Sequence, residues 1–485
     1  MDNKLNISSN CGSILYVSVY SSPFFFLFVG VVVGVNYFLP SKFRHPFLLL
    51  ASFVFIGFYN IESVVALLLF SLFNFYLARF INANRFVYWL GIIINAGAIL
   101  LFNYFIAGNR FTVSFINFQV DKLLLALGLS YYSLQNIAYL KEVYNQRMSP
   151  ETNLSKFMFF HSFFPKIVSG PIVLPSEFIP QIGTNTISNK ALISGLQLLL
   201  LGVFKKMVIA DRLASGVGSI FDFHSNYSGL TVLVGAYLFS IQLYFDFSGY
   251  SDMAVGISKM LGYTIKDNFN LPFRSLSITE FWRRWHISLL SWLTTYIYFP
   301  IVFRFRQMKK FALYLGILMT FFVSMLWHGI GFTFLAYVLC HTIYLNIETL
   351  TRGMRAKLFT GYNSYVFKIT CAFIVFNAFS FANLFFRASS FDVSLQLIHN
   401  LFFNFLHINF MTDFISPLAV GGHQIDEFNF ILSIILFTSF ILFEQRINKV
   451  AKSELFNFKY LSLVILLIVL FGVFNSGTRF IYMQF

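Results

Sequence analysis

Residues 242–263 read QLYFDFSGYSDMAVGISKMLGY, residues 268–300 read NFNLPFRSLSITEFWRRWHISLLSWLTTYIYFP, and residues 325–334 read MLWHGIGFTF. These segments place ionisable side chains within an otherwise apolar, phenylalanine-rich chain. Those side chains are Asp246, Asp252, Glu280, Arg283, Arg284, His286 and His328. Ionisable groups at hydrocarbon depth are energetically costly and are usually retained for function. The stretch from Gln242 to Gly331 therefore predicts a chemical site inside a membrane protein.

The composition predicts a polytopic membrane protein. The chain has 485 residues, of which 58% are hydrophobic and only 11% are charged, and its mean hydropathy is +0.72. Soluble domains carry about 25% charged residues. Apolar runs of roughly 20 residues recur from end to end, and the ten-residue alternation of a β-barrel is absent. We predict one all-α membrane-embedded domain over residues 1–485, with about eleven transmembrane helices plus re-entrant and interfacial helices.

The net charge of +15 is distributed in short basic clusters between the apolar runs. The clusters are Lys42/Arg44, Lys205/Lys206/Arg212, Arg304/Arg306/Lys309/Lys310, Arg352/Arg355/Lys357 and Arg446/Lys449/Lys452. This pattern is typical of cytoplasmic loops, so it predicts a multi-pass protein of the bacterial inner membrane, in contact with lipid, rather than a nucleic-acid-binding protein. The cysteines at 11, 340 and 371 lie far apart and indicate neither a disulfide framework nor a zinc motif.

Four local patterns add detail to this topology. Residues 1–22 lack a charged region and a cleavage site, so no cleaved signal is predicted. Residues 154–180 contain four prolines and predict a broken element, either re-entrant or a simple interfacial loop. Residues 311–350, bracketed by basic clusters, predict a helical hairpin that carries His328 away from the cytoplasm. Residues 391–406 predict an amphipathic helix in the membrane interface, with Leu395 and Phe402 on its apolar face.

The two histidines are the main candidates for chemistry. His328 lies between Trp327, which can form a flat wall, and Gly329, which permits close approach of a ligand. The alternative is a packed histidine bonded to a carbonyl. His286 is predicted on a helix capped by Thr279, on one face with Trp282, Leu289 and Leu293, beside a Glu280–Arg284 pair at the i, i+4 spacing. The alternative there is a basic-aromatic membrane anchor.

Asp246 and Asp252 need partners at this depth, and we expect arginine or histidine from the neighbouring segments. We interpret these carboxylates first as structural pins and second as proton-transfer groups. Three chemistries fit two histidines and two carboxylates. They are acyl transfer with a neutral imidazole as base, a metal site, and a transport path. The chain has no HExxH or His-x-His spacing, so we predict no metal ligands.

These segments resemble the membrane-bound O-acyltransferase (MBOAT) family, in its bacterial alginate O-acetyltransferase and teichoic-acid D-alanyl-transfer branch. Further matching blocks are SSPFFFLFVG, LLLASFVF, SFFPKIVSGPIV, NLFFRASSFDVSLQLI and the terminal FIYMQF, with His341 following LWHGIGFTF. The resemblance implies helices around an outward-facing funnel and a narrow tunnel from the cytosol. It also implies that His328 and His286 are the catalytic histidines. The family's Arg-Asp pair is Thr294-Thr295 here, and its Trp after the WHG block is Phe332.

The resemblance implies transfer of an acyl group, most simply acetyl, to hydroxyls of a cell-envelope or exported polysaccharide. The residues expected to line the tunnel or contact substrate are Gln242, Tyr244, Asp246, Ser251, Asp252, Asn270, Arg283, Arg284, Trp285 and Trp327. No cofactor is expected to be permanently bound. The expected donor is acetyl-CoA or a phosphopantetheine thioester on an acyl carrier protein, and a periplasmic or secreted relay protein is an expected partner. A polysaccharide exporter or flippase, and a scaffold for a soluble transferase, are the alternatives.

Overall fold

The computed structural model describes residues 22–81, 84–106, 114–115, 118–119, 126–358, 364–405, 427–474 and 481. The segment for which no cleaved signal is predicted lies outside these residues, except for Ser22. Cys11 and all but one residue of the FIYMQF block also lie outside them. The predicted all-α class is confirmed. Beside the helices, the described part contains a short antiparallel ribbon of β1 (Ser114–Phe115) and β2 (Phe118–Gln119), which pairs Ser114 with Gln119 and Phe115 with Phe118.

The described part of the chain is built mainly from α-helices. In chain order they are α1 (Pro23–Phe38), α2 (Ser41–Tyr59), α3 (Ile61–Ala78), α4 (Arg85–Ile106), α5 (Leu129–Tyr144), α6 (Leu154–Ser162), α7 (Pro175–Phe178), α8 (Asn189–Val203), α9 (Asp211–Asp222), α10 (Gly229–Met260), α11 (Ile278–Arg284), α12 (Ile287–Leu293), α13 (Phe299–Arg304), α14 (Lys310–His328), α15 (Phe332–Leu358), α16 (Tyr365–Arg387), α17 (Phe391–Phe403), α18 (Glu427–Ala451) and α19 (Phe458–Phe471). Two π-helical segments, Phe204–Ala210 and Thr294–Tyr298, join α8 to α9 and α12 to α13.

Seven helical stretches among the described residues are long and apolar enough to cross a membrane. They are α3, the first twenty residues of α4, the continuous run α8–α9, α10, the run α12–α13, α14 and α16. The shorter helices α1 and α19 are also apolar. Many large apolar side chains on these helices face outward, as expected for contact with lipid. The chain is therefore a multi-pass membrane protein, and the number eleven stays a prediction.

The centre of the fold is α10, a helix of 32 residues and about 48 Å in length. It packs most extensively against α8, and glycines from both helices lie at the contact. A Cβ added at Gly195 would stand 2.6 Å from the carbonyl oxygen of Gly256, and one at Gly249 would stand 2.8 Å from that of Gly202. Because small residues let two backbones approach in a membrane, these four glycines set the α8–α10 distance.

The proline-rich segment predicted to be broken is indeed not a continuous helix. Helix α6 ends at Ser162, and no regular helix resumes before Pro175. Residues 159–173 are all buried, so this segment packs within the protein rather than forming a loop on its surface. The Tyr250 hydroxyl donates to the Pro165 carbonyl at 3.2 Å, and the Ser288 hydroxyl accepts the Ile172 N–H at 2.9 Å. Side-chain hydroxyl groups thus bond backbone groups of this segment that have no partner within a helix.

The structure has the predicted hairpin and a helix in place of the predicted amphipathic segment, and the location of that helix in the membrane interface stays a prediction. Helices α14 and α15 form a hairpin that reverses at residues 329–331. A Cβ at Gly329 would stand 2.6 Å from the Phe334 ring, so a larger residue at this turn would displace that ring. In α17, Leu395 and Phe402 are exposed, whereas Asn400 on the polar face donates to the carbonyl oxygens of His224 and Tyr227 at 3.2 and 3.4 Å.

Candidate active site

His328 is the last residue of α14, at the point where the helix breaks. The last carbonyls of a helix have no partner within it. Here the Asn103 amide on α4 donates to the carbonyl oxygens of Leu326 and Trp327, at 2.6 and 3.0 Å. Trp327 is buried and packs edge-on against Tyr131, with ring centroids 5.2 Å apart. Asn103 and Trp327 therefore fix the helix end that presents the His328 ring.

A cavity of about 660 Å³ opens beside His328. Its walls come from α4, α9, α10, the α14–α15 turn and the α16–α17 connection. The polar lining residues are Asn103, Gln242, His328, Thr333, Arg387, Ser389 and Ser390. The cavity is large enough for a small ligand or one unit of a polymer, since ligand pockets measure about 300–1,000 Å³. His328 therefore faces open space and is not sealed by packing.

His328 also lines a second and much narrower space, of about 20 Å³. This space, which we call the seam, lies between α11, α12, α14, α15 and α16. Its lining residues are Trp282, Trp285, His286, Leu289, Leu290, Leu293, Thr320, Phe321, Ser324, His328, Tyr337 and Phe386. Thr320, Ser324 and His328 are four residues apart on α14 and so lie on one helix face. The two histidines predicted from the sequence thus meet in the seam, and His328 stands where the seam joins the cavity.

The backbone around His286 differs from the prediction. Ser277, not Thr279, caps α11, and the helix ends at Arg284. Trp285 is extended, His286 has left-handed dihedral angles (φ 44°, ψ 52°), and α12 starts at Ile287. The predicted single helix face with Trp282 and His286 is therefore wrong. A non-glycine residue in this conformation is strained and persists only where surrounding contacts hold it.

Asn268 supplies those contacts. Its carbonyl oxygen accepts the Ile287 N–H at 2.9 Å, and its side-chain Oδ1 accepts the Ser288 N–H at 3.0 Å. The same Oδ1 lies 3.4 Å from His286 Nδ1, and Asn268 Nδ2 donates to Ser251 Oγ at 3.4 Å. The His286 ring packs edge-on against Phe247, with centroids 4.6 Å apart. Sequence reasoning missed Asn268, although its position in the NFN block before FWRRWH was a signal.

The prediction that Asp246 and Asp252 pair with arginine or histidine is wrong, because their partners are lysines. Lys206 Nζ lies 2.5 Å from Asp246 Oδ1 and 2.8 Å from Asp211 Oδ1, and Lys205 Nζ lies 2.7 Å from Asp252 Oδ2. The two lysines are buried, so the prediction that they belong to a cytoplasmic loop is also wrong. The π-helical segment that contains both lysines packs directly against α10, whose face carries the carboxylates.

The remaining predicted residues separate into two groups. Gln242 lines the cavity, and Trp285 lines the seam beside His286. Tyr244 points elsewhere, with its hydroxyl bonded to the Glu444 carboxylate. Arg283 is exposed. Arg284 forms the predicted ion pair with Glu280 at 2.7 Å and donates to the Asn270 carbonyl oxygen at 3.2 Å.

The structure thus brings Gln242, Trp285, His286 and His328 to the seam and cavity, and Ser251 contacts His286 through Asn268. Trp327, which was expected to line the tunnel, lines neither space and packs between the His328 ring and Tyr131. Phe386, Arg387 and Asn103 line the same spaces and were not predicted. Phe386 and Arg387 lie in the family-matching block NLFFRASSFDVSLQLI, which was the available signal, whereas Asn103 lies in an apolar helix with no motif around it. Within the described part of the chain, no group of three or more histidine, cysteine or carboxylate side chains could hold a metal ion.

Comparison with known proteins identifies the family of the chain. Residues 129–391 match the family model for MBOAT, the membrane-bound O-acyltransferase family. The chain is 32% identical over 430 residues to the peptidoglycan O-acetyltransferase of Helicobacter pylori, which covers 80% of each protein. It is 33% identical over 346 residues to the probable alginate O-acetylase AlgI of Azotobacter vinelandii, 68% of each. It is 29% identical over 225 residues to the teichoic acid D-alanyltransferase of Bacillus subtilis, 45% of this chain and 57% of that protein.

The matched region includes both histidines, the seam and most of the cavity wall. The family model matches more than half of the chain, and a relative above 30% identity aligns with four fifths of the chain. The chain therefore belongs to the membrane-bound O-acyltransferase family and is an acyltransferase.

Proposed function

We propose that this protein transfers acetyl groups from a cytosolic thioester to hydroxyl groups of a cell-envelope or exported polysaccharide, directly or through a periplasmic or secreted relay protein. The observation that carries the proposal is the position of His328, where the narrow seam meets the wide cavity. An acceptor in the cavity and a thioester in the seam would both reach this imidazole. We further propose that residues 1–485 form one domain.

In the proposed reaction, His328 is the general base. The acceptor hydroxyl attacks the thioester carbonyl carbon while its proton passes to the imidazole. The carbon–sulfur bond then breaks, and the proton is returned to the leaving thiolate. A positioned base of this kind contributes about 10²–10⁴-fold to the rate. His286 orients the reacting groups from the other side of the seam, and Trp327 holds the helix end that carries His328.

The donor is acetyl-CoA or a phosphopantetheine thioester, which we propose enters from the Lys310 end of α14. The exposed clusters Arg304–Lys310 and Arg352–Lys357 lie at the open end of the α14–α15 hairpin. Basic loops mark the cytoplasmic side and would attract the phosphates of such a donor. This orientation supports a location in the inner membrane, with the 660 Å³ cavity facing outward.

The acceptor class rests on the named relatives. Peptidoglycan and alginate are the polymers named for relatives above 30% identity, and these names specify O-acetyl transfer. D-alanyl transfer is named for relatives that are less than 30% identical to this chain. We therefore favour an acetyl group and a polysaccharide hydroxyl.

The test is His328→Ala, with His399→Ala as the matched control, because His399 is an exposed histidine on α17. Membranes containing each variant at equal abundance are supplied with labelled acetyl-CoA, and acetyl on envelope polymers is measured by mass analysis. We expect acetylation to disappear in His328→Ala and to persist in the control. Wild-type acetylation by His328→Ala would refute the proposal and would favour an exporter or a scaffold.

A further inference from the structure

The hydrogen bonds of Asn268 fix the orientation of its side chain. The Ser288 backbone N–H can only donate, and it points at the side-chain atom of Asn268 that lies 3.0 Å away. That atom must therefore be the oxygen. The amide nitrogen then faces Ser251 Oγ, which accepts from it at 3.4 Å. Asn268 is only 1% exposed, so water does not offer these groups an alternative.

The orientation of Asn268 in turn selects the tautomer of His286. The oxygen Oδ1 faces His286 Nδ1 at 3.4 Å. A neutral imidazole carries its proton on one nitrogen and a lone pair on the other. A lone pair on Nδ1 would face the lone pairs of Oδ1, whereas a proton there completes a hydrogen bond. The favoured form is therefore Nδ1–H, and Nε2 carries the lone pair.

We propose that Asn268 is a positioning residue that holds the strained His286 in its Nδ1–H tautomer, so that Nε2 acts during acyl transfer as a hydrogen-bond acceptor. A nitrogen with a lone pair cannot stabilise an oxyanion. His286 therefore orients a proton-bearing group in the seam, either the acceptor hydroxyl or a ring N–H of His328. This inference rests on the proposed function, because it assigns His286 its part in that reaction.

The same residue also holds the His286 backbone. Asn268 bonds the N–H groups of Ile287 and Ser288, the first two residues of α12, which otherwise have no helical acceptor. The left-handed conformation at His286 is the point where the chain turns from α11 into α12. Asn268 thus contributes twice: its backbone carbonyl and its side chain hold the start of α12, and its side-chain oxygen faces the imidazole.

Two substitutions separate this role from simple packing. Asn268→Leu keeps the approximate shape and removes the side-chain hydrogen bonds, while the backbone bond to Ile287 remains. Misplacing a catalytic group by about 1 Å can cost about 10²-fold, so we expect kcat to fall by up to that factor with little change in KM for acetyl-CoA. Asn268→Asp keeps the acceptor oxygen and adds a negative charge beside the ring. A neighbouring opposite charge favours the imidazolium, so the acid limb of the pH–rate profile should move about 1–3 pH units higher.

The pH readout depends on few groups. Besides His286, the titratable side chains among the described residues that line the seam are His328 on α14 and Tyr337 on α15. Trp285 and Leu289, from α11–α12, and Phe386, from α16, contribute no titratable group.

Asn74→Leu is the matched control. Asn74 on α3 is a buried asparagine whose side chain bonds that of Asn95 on α4. The control should keep the wild-type kcat and pH profile per folded molecule.

The measurement is acetyl transfer from labelled acetyl-CoA in membranes of equal protein content, between pH 5 and pH 9. A wild-type kcat for Asn268→Leu, or a pH profile for Asn268→Asp that superimposes on the wild type, would overturn the inference. If Asn268→Leu does not fold, the Asp variant decides alone through its profile. Failure of the proposed function is recognised separately, because it requires that His328→Ala remain active.

Discussion

Helix α10 presents two kinds of polar group, and they have different surroundings. In its first half, Gln242 faces the cavity that His328 lines. One and three turns further along, Asp246 and Asp252 are enclosed in ion pairs with Lys206 and Lys205. The described residues around the cavity are neutral apart from Arg387, whereas the second region contains full charges with direct partners.

The difference shows that charge in a membrane protein is not by itself a sign of catalysis. Burying a lone carboxylate is costly, and the cost is reduced only by a close partner. Asp246 also accepts the Ile481 N–H at 2.8 Å, so this carboxylate ties a residue of the cavity wall to α10 and, through Lys206, to the π-helical segment before α9. The charged region therefore holds the helices together, whereas His328 remains accessible from the cavity.

The largest expected effect is the loss of acetyl transfer when His328 at the cavity is replaced. His328→Ala should reduce acetyl transfer by about 10²–10⁴-fold. It should change the free energy of unfolding by less than about 1 kcal/mol, because His328 is half-buried at a cavity rather than packed in the core. Parallel assays of transfer and of thermal unfolding in detergent check this. A large loss of stability would show that the ring is a packing element, and the contrast between the regions would fail.

Removing a lysine from the buried ion pairs should instead lower the stability of the protein more than its activity. Lys206→Met leaves Asp246 and Asp211 buried without their shared cation, and breaking a buried pair costs about 3–5 kcal/mol. The unfolding temperature in detergent should fall markedly, while kcat per folded molecule falls much less. The control is Lys190→Met, whose partner Glu454 and whose own side chain are mostly exposed, and which should unfold as the wild type does. Equal stability of the two variants would contradict the structural role.

A third test concerns the helix contact that brings the two regions together. Gly202→Ala places a methyl group 2.8 Å from the Met253 backbone nitrogen, and overpacking of this kind costs about 1–3 kcal/mol. Gly97→Ala on α4 is the control, since a Cβ there meets nothing within 4 Å. Thermal unfolding of both variants gives the comparison. An equally stable Gly202→Ala would mean that α8 and α10 can separate without loss.

The smallest expected effect concerns the cavity wall. Gln242→Leu removes a polar side chain that is 8% exposed at the cavity. One hydrogen bond to a ligand is worth about 0.5–1.5 kcal/mol, which corresponds to a rise of roughly 2- to 10-fold in KM for the acceptor. The KM for acetyl-CoA, measured in the same membranes, should not change. A change confined to the KM for acetyl-CoA would mean that Gln242 contacts the donor rather than the acceptor.

Sequence reasoning anticipated the two histidines and the hairpin that carries His328, because short motifs and hydropathy mark them. It did not anticipate the break at Trp285-His286, since Glu280 and Arg284 have the spacing of a continuous helix and do pair as one. The loss of helix at His286 results from Asn268, which lies in a preceding segment and replaces the helical acceptors of Ile287 and Ser288.

The sequence by itself determined that this protein is an all-α membrane protein of the acyltransferase family, and it singled out His328 and His286. Hydropathy and motif spacing are local properties, and they can be read without knowing how helices pack. Only the tertiary structure decided that Lys205 and Lys206 are buried partners of the carboxylates, that Asn268 orients His286, and that Gln242 faces the cavity. Each of these depends on which distant segments come into contact, and the glycine-lined approach of α8 to α10 sets part of that arrangement.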